Sequence, residues 1–207
     1  MDLSAQVVLI AGAATPVGRS VAESLADEGA QLVLTDVVDV HLAEVVDSIA
    51  LRTGRRPEQC LLRVTDPEAW CIAIDDAETR FGRLDIIVNA AEWDPGVSWR
   101  EAAPEHWSRA VDINLMGVVN GFAAALPALR RSEGSLVIVA RDAALTGVMG
   151  ASARSAALAF ARSVRRDVAP EVTIVTTVVR GDSARLAGSG IVAGLRASDE
   201  EITVGIA

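Results

Sequence analysis

Short runs of apolar, β-branched residues alternate along the chain with longer stretches in which apolar positions recur at helical spacing. Val7–Ala11, Gln31–Thr35, Cys60–Val64, Leu84–Asn89, Leu136–Ala140 and Val172–Val179 read as strands. Helices are expected near Val17–Glu28, Leu42–Arg52, Pro67–Phe81, Glu105–Leu129 and Ser152–Val168. Most of the strand runs are apolar nearly throughout, as a parallel sheet with helices on both faces requires. The alternation predicts one doubly wound, Rossmann-like α/β domain over residues 1–207, with no repeat or linker inside it. Gly29 and Gly54 fall just past helices and Pro67 and Pro104 at helix starts, where such residues cost least. The Ala-rich faces of 121–128 and 151–161 suggest close helix approach, either inside the fold or at an oligomer interface.

Composition narrows the chemistry. The 207 residues include no Tyr and no Lys, so all 19 basic residues are Arg. A Schiff-base lysine, a P-loop lysine and a Tyr/Lys acid–base pair are all excluded. Twenty-eight acidic residues leave a net charge of −9, which disfavours a nucleic-acid partner. Cys60 and Cys71 are too few for a disulfide framework and read as small buried apolar residues; His41 and His106 lack metal-ligand spacing, so no metal is expected. The acidic start Met1–Gln6 is unlike a signal peptide. The longest uncharged stretch, Ile113–Leu129, holds Asn114, Asn120 and Pro127 and is expected to be too short and polar for a membrane span. These features point to the cytoplasm.

Val7-Val-Leu-Ile-Ala-Gly-Ala-Ala-Thr-Pro-Val-Gly18 is a strand, a glycine turn and a helix start, the arrangement that seats a dinucleotide pyrophosphate. Asp36, ending the second strand, suits an adenosine ribose hydroxyl or, equally, the cap of the next helix. Phe81-Gly-Arg-Leu-Asp-Ile-Ile-Val-Asn-Ala-Ala91, Asp112-Ile-Asn-Leu-Met-Gly117, Gly134-Ser-Leu-Val-Ile-Val-Ala140 and Ser155-Ala-Ala-Leu158 follow at matching intervals. Together they resemble the short-chain dehydrogenases/reductases from about residue 5 to 205. The resemblance implies a cofactor site at Gly12, Gly18, Asp36 and Asn89, and a catalytic centre of Asn, Ser, Tyr and Lys.

That centre is broken. Of the family's catalytic residues only Asn114 is kept; Ala151 stands at the Tyr position, Ser155 at the Lys position, and Ala140 or Arg141 at the Ser position. Acid–base catalysis needs a titratable group within hydrogen-bond reach, and alanine has none. The cofactor motif departs too. Pro16 replaces the middle glycine, Glu92 the last residue of Asn-Asn-Ala-Gly, and Arg63 the acid that meets adenine. Three departures imply weak NAD binding or none, so no cofactor is expected, or NAD if any. Arg180 replaces a family Pro; Ile191–Asp199 resembles the helix before the family's final strand, Ile202–Ile206, and the sequence between Gly181 and Ile191 has no room for the usual helices over the substrate, so the lid is reduced.

Three functions remain open. The first is a non-catalytic subunit, a pseudoenzyme that pairs with a catalytic paralogue through the helices near 105–129 and 151–168 in an NAD-dependent hydroxyacyl or alcohol dehydrogenase complex. Arg162, Arg165 and Arg166 would then rim the interface or form a solvated face. The second is an enzyme with altered chemistry, with Arg141 and Arg154 clamping an anion and Asp142 or Glu92 as base. The third is a ligand-sensing module. Trp93 and Trp99 are expected to pack against the domain's own helices.

Overall fold

The computed structural model describes residues 2–141, 147–180, 183–198 and 200–205. Seven parallel strands form one sheet in the order β3-β2-β1-β4-β5-β6-β7. They are β1 (Val7–Ala11), β2 (Gln31–Asp36), β3 (Glu58–Leu61), β4 (Ile86–Asn89), β5 (Ser135–Arg141), β6 (Thr173–Val179) and β7 (Glu201–Val204). The helices are α1 (Pro16–Asp27), α2 (Asp39–Thr53), α3 (Pro67–Phe81), α4 (Pro104–Val111), α5 (Gly117–Ser132), α6 (Val148–Val168) and α7 (Ala184–Ala197). The doubly wound expectation is met; β7 is the final strand expected from residue 202, and α7 starts at Ala184, ahead of the expected Ile191, while residues 199 and 206 of those two expected segments lie outside the described residues. Chain order reverses between β1 and β4, and that switch point opens a crevice at the carboxyl ends of the strands.

Because β1 and β4 are covered on both faces, every residue in them is buried. On one face Val8, Ile10 and Val88 meet α1, α2 and α7; on the other Leu9, Ile87 and Ile138 meet α3, α5 and α6. Asp85 locks the entry to β4: its carboxylate accepts from the Val7 N–H at 2.9 Å and from Arg83. A buried charge is tolerable there because both oxygens are satisfied.

Several expectations need correction. β3 spans Glu58–Leu61, not Cys60–Val64; it is an edge strand with alternating burial, and Leu62 and Val64 are buried in the turn beyond it. The helix expected over 105–129 is α4 and α5 joined by a π-helical turn, Asp112–Met116. The run Pro104–Ser132 has 29 residues, and an 18-residue window of it reaches a mean hydropathy of 1.3, with 39% of that window buried inside the fold. In this fold its inner face packs on α3, where a Cβ on Gly121 would lie 2.8 Å from Trp70.

Cys71 is exposed and Cys60 half-buried, because the inward stripe of α3 is Trp70, Ala73, Ile74 and Ala77. Trp99 is 62% exposed instead of packed. Arg162 and Arg165 do not simply face solvent: Arg162 pairs with Glu201 at 3.0 Å, and Arg165 donates to the Ile174 and Glu200 carbonyls, tying α6 to β6 and β7. The Ala-rich faces divide, with Ala125, Ala128, Ala153, Ala157 and Ala161 buried and Ala123, Ser152, Ser155 and Ala159 exposed.

Residues 180–183 alone separate β6 from α7, and α7 packs on α1: the Gly188 N–H donates to Ser20 Oγ, which donates to the Arg185 carbonyl. Thus α7 serves the sheet's flank and does not roof the crevice.

Candidate functional site

The crevice has a volume of about 460 Å³ and is lined from Gly12, Thr15, Asp36 and residues 62–65 on one side to Ala91–Trp93, Arg109, Asp112 and Ile113 on the other. Gly12 and Gly18 shape its floor. Gly12 has φ +80°, and a Cβ there would meet the Ala91 backbone at 2.4 Å; a Cβ on Gly18 would meet the Gly12 carbonyl oxygen at 2.0 Å. Both glycines are therefore required by close backbone approach.

The amides of this turn are already engaged. Gly12 and Ala13 N–H both donate to the Thr35 carbonyl, and the Thr15 N–H donates to the Gly12 carbonyl. Asp36 Oδ2 accepts from the Ala14 N–H at 3.0 Å, and Asp36 Oδ1 from the Val37 N–H at 2.7 Å. Thr15 caps α1 by accepting from the Gly18 N–H at 3.0 Å while its hydroxyl donates to the Gly12 carbonyl. Pro16, the first residue of α1, has no N–H. Between residues 12 and 18 only the Val17 N–H lacks such a partner. A pyrophosphate normally held by several amides at a helix N-terminus meets one here. The base-and-ribose end of the crevice is open, and the pyrophosphate end offers the Val17 N–H.

Asp36 closes the glycine turn instead of capping α2, whose N-cap is Val38 without a side-chain bond. Asp36 Oδ1 also accepts from the Val38 N–H at 3.4 Å, so Oδ2 is the oxygen that retains a second lone pair for a ribose hydroxyl.

Asn114 sits in the π turn, 2% exposed, and holds both main-chain groups of Trp93: its Oδ1 accepts from the Trp93 N–H at 2.9 Å and its Nδ2 donates to the Trp93 carbonyl at 2.7 Å. Asn89 Nδ2 donates to the Gly117 carbonyl, and its buried Oδ1 has no partner. Both asparagines thus fasten β4 and its following loop to the α4–α5 hinge. A π turn carrying such a residue is a frequent mark of functional sites.

Close to Ala151 on α6, this chain has an ion network that sequence reasoning missed. Glu92 accepts from Arg141 at 2.7 and 2.8 Å and from Arg154 at 3.4 Å, bridging β4, β5 and α6. The Arg154 side chain is only 5% exposed, and its Nε and Nη2 have no hydrogen-bond partner. Burial pushes the Arg154 guanidinium below its ordinary value; Glu92 opposes this, Arg141 adds to it and Asp94 opposes it. Asp94 Oδ2 in turn accepts from the Gly150 N–H at 3.1 Å in the first turn of α6. Ala151 is half-buried beside this network and Ser155 is exposed on the outer face of α6. The arginines expected to clamp a ligand clamp Glu92. Asp142, the other proposed base, lies outside the described residues. In sequence Glu92 stands 62 positions from Arg154, so no local spacing could have paired them.

At the mouth, Arg109 lies over the Trp93 ring at 4.7 Å, and Trp93 faces His106 with ring centroids 6.3 Å apart. Arg63 lines the base end.

Residues 6–182 match the family model described as short chain dehydrogenase. The chain belongs to the short-chain dehydrogenase/reductase family. It is 36% identical over 158 residues to trans-4-hydroxycyclohexanecarboxylate dehydrogenase of Sinomonas cyclohexanicum, covering 73% of this chain and 61% of that protein. The chain thus spans about three fifths of that relative's length. Its fold matches an alcohol dehydrogenase from Thermococcus sibiricus solved with 5-hydroxy-NADP, with a TM-score of 0.87 and 20% identity over 97% of this chain and 96% of that one. A short-chain dehydrogenase/reductase from Burkholderia phymatum in complex with NAD gives 0.88 and 18% over 98% and 90%. Structural neighbours of this kind hold NAD or an NADP derivative, and the chain shares their fold.

Proposed function

We propose that this chain is a non-catalytic member of its oxidoreductase family, a subunit that pairs with a catalytic paralogue in an NAD-dependent hydroxyacyl or alcohol dehydrogenase complex. One observation carries the reading: Ala151 and Ser155 stand where the Tyr and Lys belong, and the space beside them is taken by the Glu92–Arg141–Arg154 network. Glu92 is held by two guanidiniums, which offer hydrogen-bond donors and no acceptor to a reacting group. The engaged amides of residues 12–18 and Pro16 support weak NAD binding or none. No acid–base step is left for the isolated chain to perform.

Pairing is assigned to the outer faces of α4–α5 and α6, over 105–129 and 151–168. Ser152, Ser155, Ala159 and Ser163 form an exposed stripe of small residues on α6, and Met116 and Ala123 are exposed on the neighbouring run. Small side chains let helices of two chains approach closely, and a two-fold contact reuses the same face on each. The partner keeps the Tyr and Lys and performs hydride transfer; this chain supports its fold. Affinity purification from the native cells, with mass spectrometry of the retained material, is expected to recover a Tyr- and Lys-bearing dehydrogenase in stoichiometric amount. Recovery of this chain alone, as a homo-oligomer, contradicts the pairing.

A further inference from the structure

We infer that Arg141 and Arg154 form a binding site for the carboxylate of a small organic acid, and that Glu92 closes this site as a displaceable plug. The inference goes beyond the subunit reading and does not rest on it. Two guanidiniums from different elements, β5 and α6, converge on one carboxylate beside the crevice. Arg141 Nη2 donates to Glu92 Oε1 at 2.7 Å and its Nε to Oε2 at 2.8 Å, the side-on pair in which a planar fork holds a carboxylate. Arg154 Nη1 reaches the same Oε2 at a longer 3.4 Å.

Glu92 fills this site incompletely. Arg154 is almost wholly buried, yet its Nε and Nη2 donate to nothing. A buried donor left without an acceptor is costly, most of all on a cation. Asp94 is committed to the main chain, its Oδ1 accepting from the Gly96 N–H at 2.9 Å and its Oδ2 from the Gly150 N–H at 3.1 Å. Two guanidiniums therefore share one carboxylate, and the backbone that carries Glu92 limits how deep that carboxylate reaches. A free carboxylate has no such tether and can settle between the two forks, within reach of the donors on Arg154.

Entry and release both run through the crevice. Glu92 lines it, in the irregular stretch after β4. The neighbouring main chain is pinned, because Asn114 holds both the N–H and the carbonyl of Trp93. The Glu92 side chain can turn about its own χ angles into the crevice, where water solvates its charge, while the loop stays in place. The present occupant sets the ligand class. A carboxylate reproduces two acceptors at the Arg141 fork, whereas an amide offers one acceptor and turns an N–H toward a donor.

Glu92→Ala removes the plug and frees a space of about the size of acetate. Calorimetric titration of this variant with sodium acetate is expected to give a Kd of about 10 mM or tighter. That is at least about tenfold tighter than for the parent, where Glu92 competes from the same chain. In about 100 mM acetate the Tm of the variant should rise at least about 3 °C above its value in equal sodium chloride. Acetamide should give no rise. Adding Arg154→Met should weaken acetate binding at least about fivefold, the loss of one hydrogen-bonding partner. If Glu92→Ala does not fold, Glu92→Gln takes its place: a neutral amide yields the fork to a carboxylate more readily, so the same tenfold gain over the parent is expected. Acetate binding no tighter in the variant than in the parent overturns the plug. Acetamide binding as tightly as acetate, or acetate binding unaffected by Arg154→Met, overturns the site. Recovery or loss of a paralogue in the affinity purification bears on neither result, so failures of the two readings are distinguishable.

Discussion

Replacing Glu92 by Gln keeps the shape of the side chain and removes its charge. Arg141 is a third exposed and can turn to water, but Arg154 cannot: its side chain is 5% exposed, and Glu92 at 3.4 Å is its ion-pair partner. Leaving a buried cation without its counter-charge typically costs about 3–5 kcal/mol. The single, fairly long Arg154 contact and the nearby Asp94 carboxylate reduce this to about 2–4 kcal/mol. For a chain of 207 residues that corresponds to a fall in Tm of about 5–15 °C. Burial lowers the Arg154 value in the folded state, so carrying its charge opposes folding and is relieved only as pH rises through that lowered value. The loss in Glu92→Gln should therefore be constant across neutral pH. It should also persist in 0.5 M salt, because a buried pair is little screened. Urea unfolding followed by far-UV circular dichroism measures the change through the midpoint at constant slope. Adding Arg154→Met to Glu92→Gln should restore most of the stability, since a hydrophobic replacement removes the stranded charge. A Glu92→Gln loss below about 0.5 kcal/mol, the range of an ordinary surface change, would refute the claim that this network holds β4, β5 and α6 together.

Three further outcomes follow from the geometry. Gly18→Ala should destabilise by more than about 3 kcal/mol or prevent folding, because its Cβ would sit 2.0 Å from the Gly12 carbonyl oxygen; a near-parental urea midpoint would contradict this. Pro16→Gly restores an N–H at the start of α1 and should raise NAD+ affinity about tenfold by calorimetry, while costing about 0.5–1 kcal/mol of stability. Maleimide should label exposed Cys71 first at pH 8; Cys60 is half-buried, and burial together with Asp76 raises its thiol value, so peptide mapping should show it reacting about tenfold more slowly.

The strands of the sheet were legible because apolar runs of β-branched residues have few other uses, and Val7–Ala11 agrees with β1 to the residue. β3 was misplaced because burial, not pairing, dominates the pattern at Leu62 and Val64. Gly12 and Gly18 were readable from the spacing of their motif. The role of Asp36 was half-readable: its position at the end of β2 marked it for a ribose, but its bond to the Ala14 N–H joins segments 22 residues apart. Glu92 was noticed as a misplaced charge, while its two arginine partners lie on β5 and α6 and only the folded chain brings them together. Cys71 was misjudged because cysteine composition says nothing of which way a helix faces.

The central claim is that the scaffold of a hydride-transfer protein persists here without the groups that move protons. Purified chain incubated with NADH and a panel of ketones, and with NAD+ and the matching alcohols, reports on it through absorbance at the reduced nicotinamide band. The account predicts no turnover above the rate without protein, and turnover only when a Tyr- and Lys-bearing partner is added. Sustained oxidation or reduction by the isolated chain, abolished by Glu92→Gln or Arg141→Ala, would contradict it.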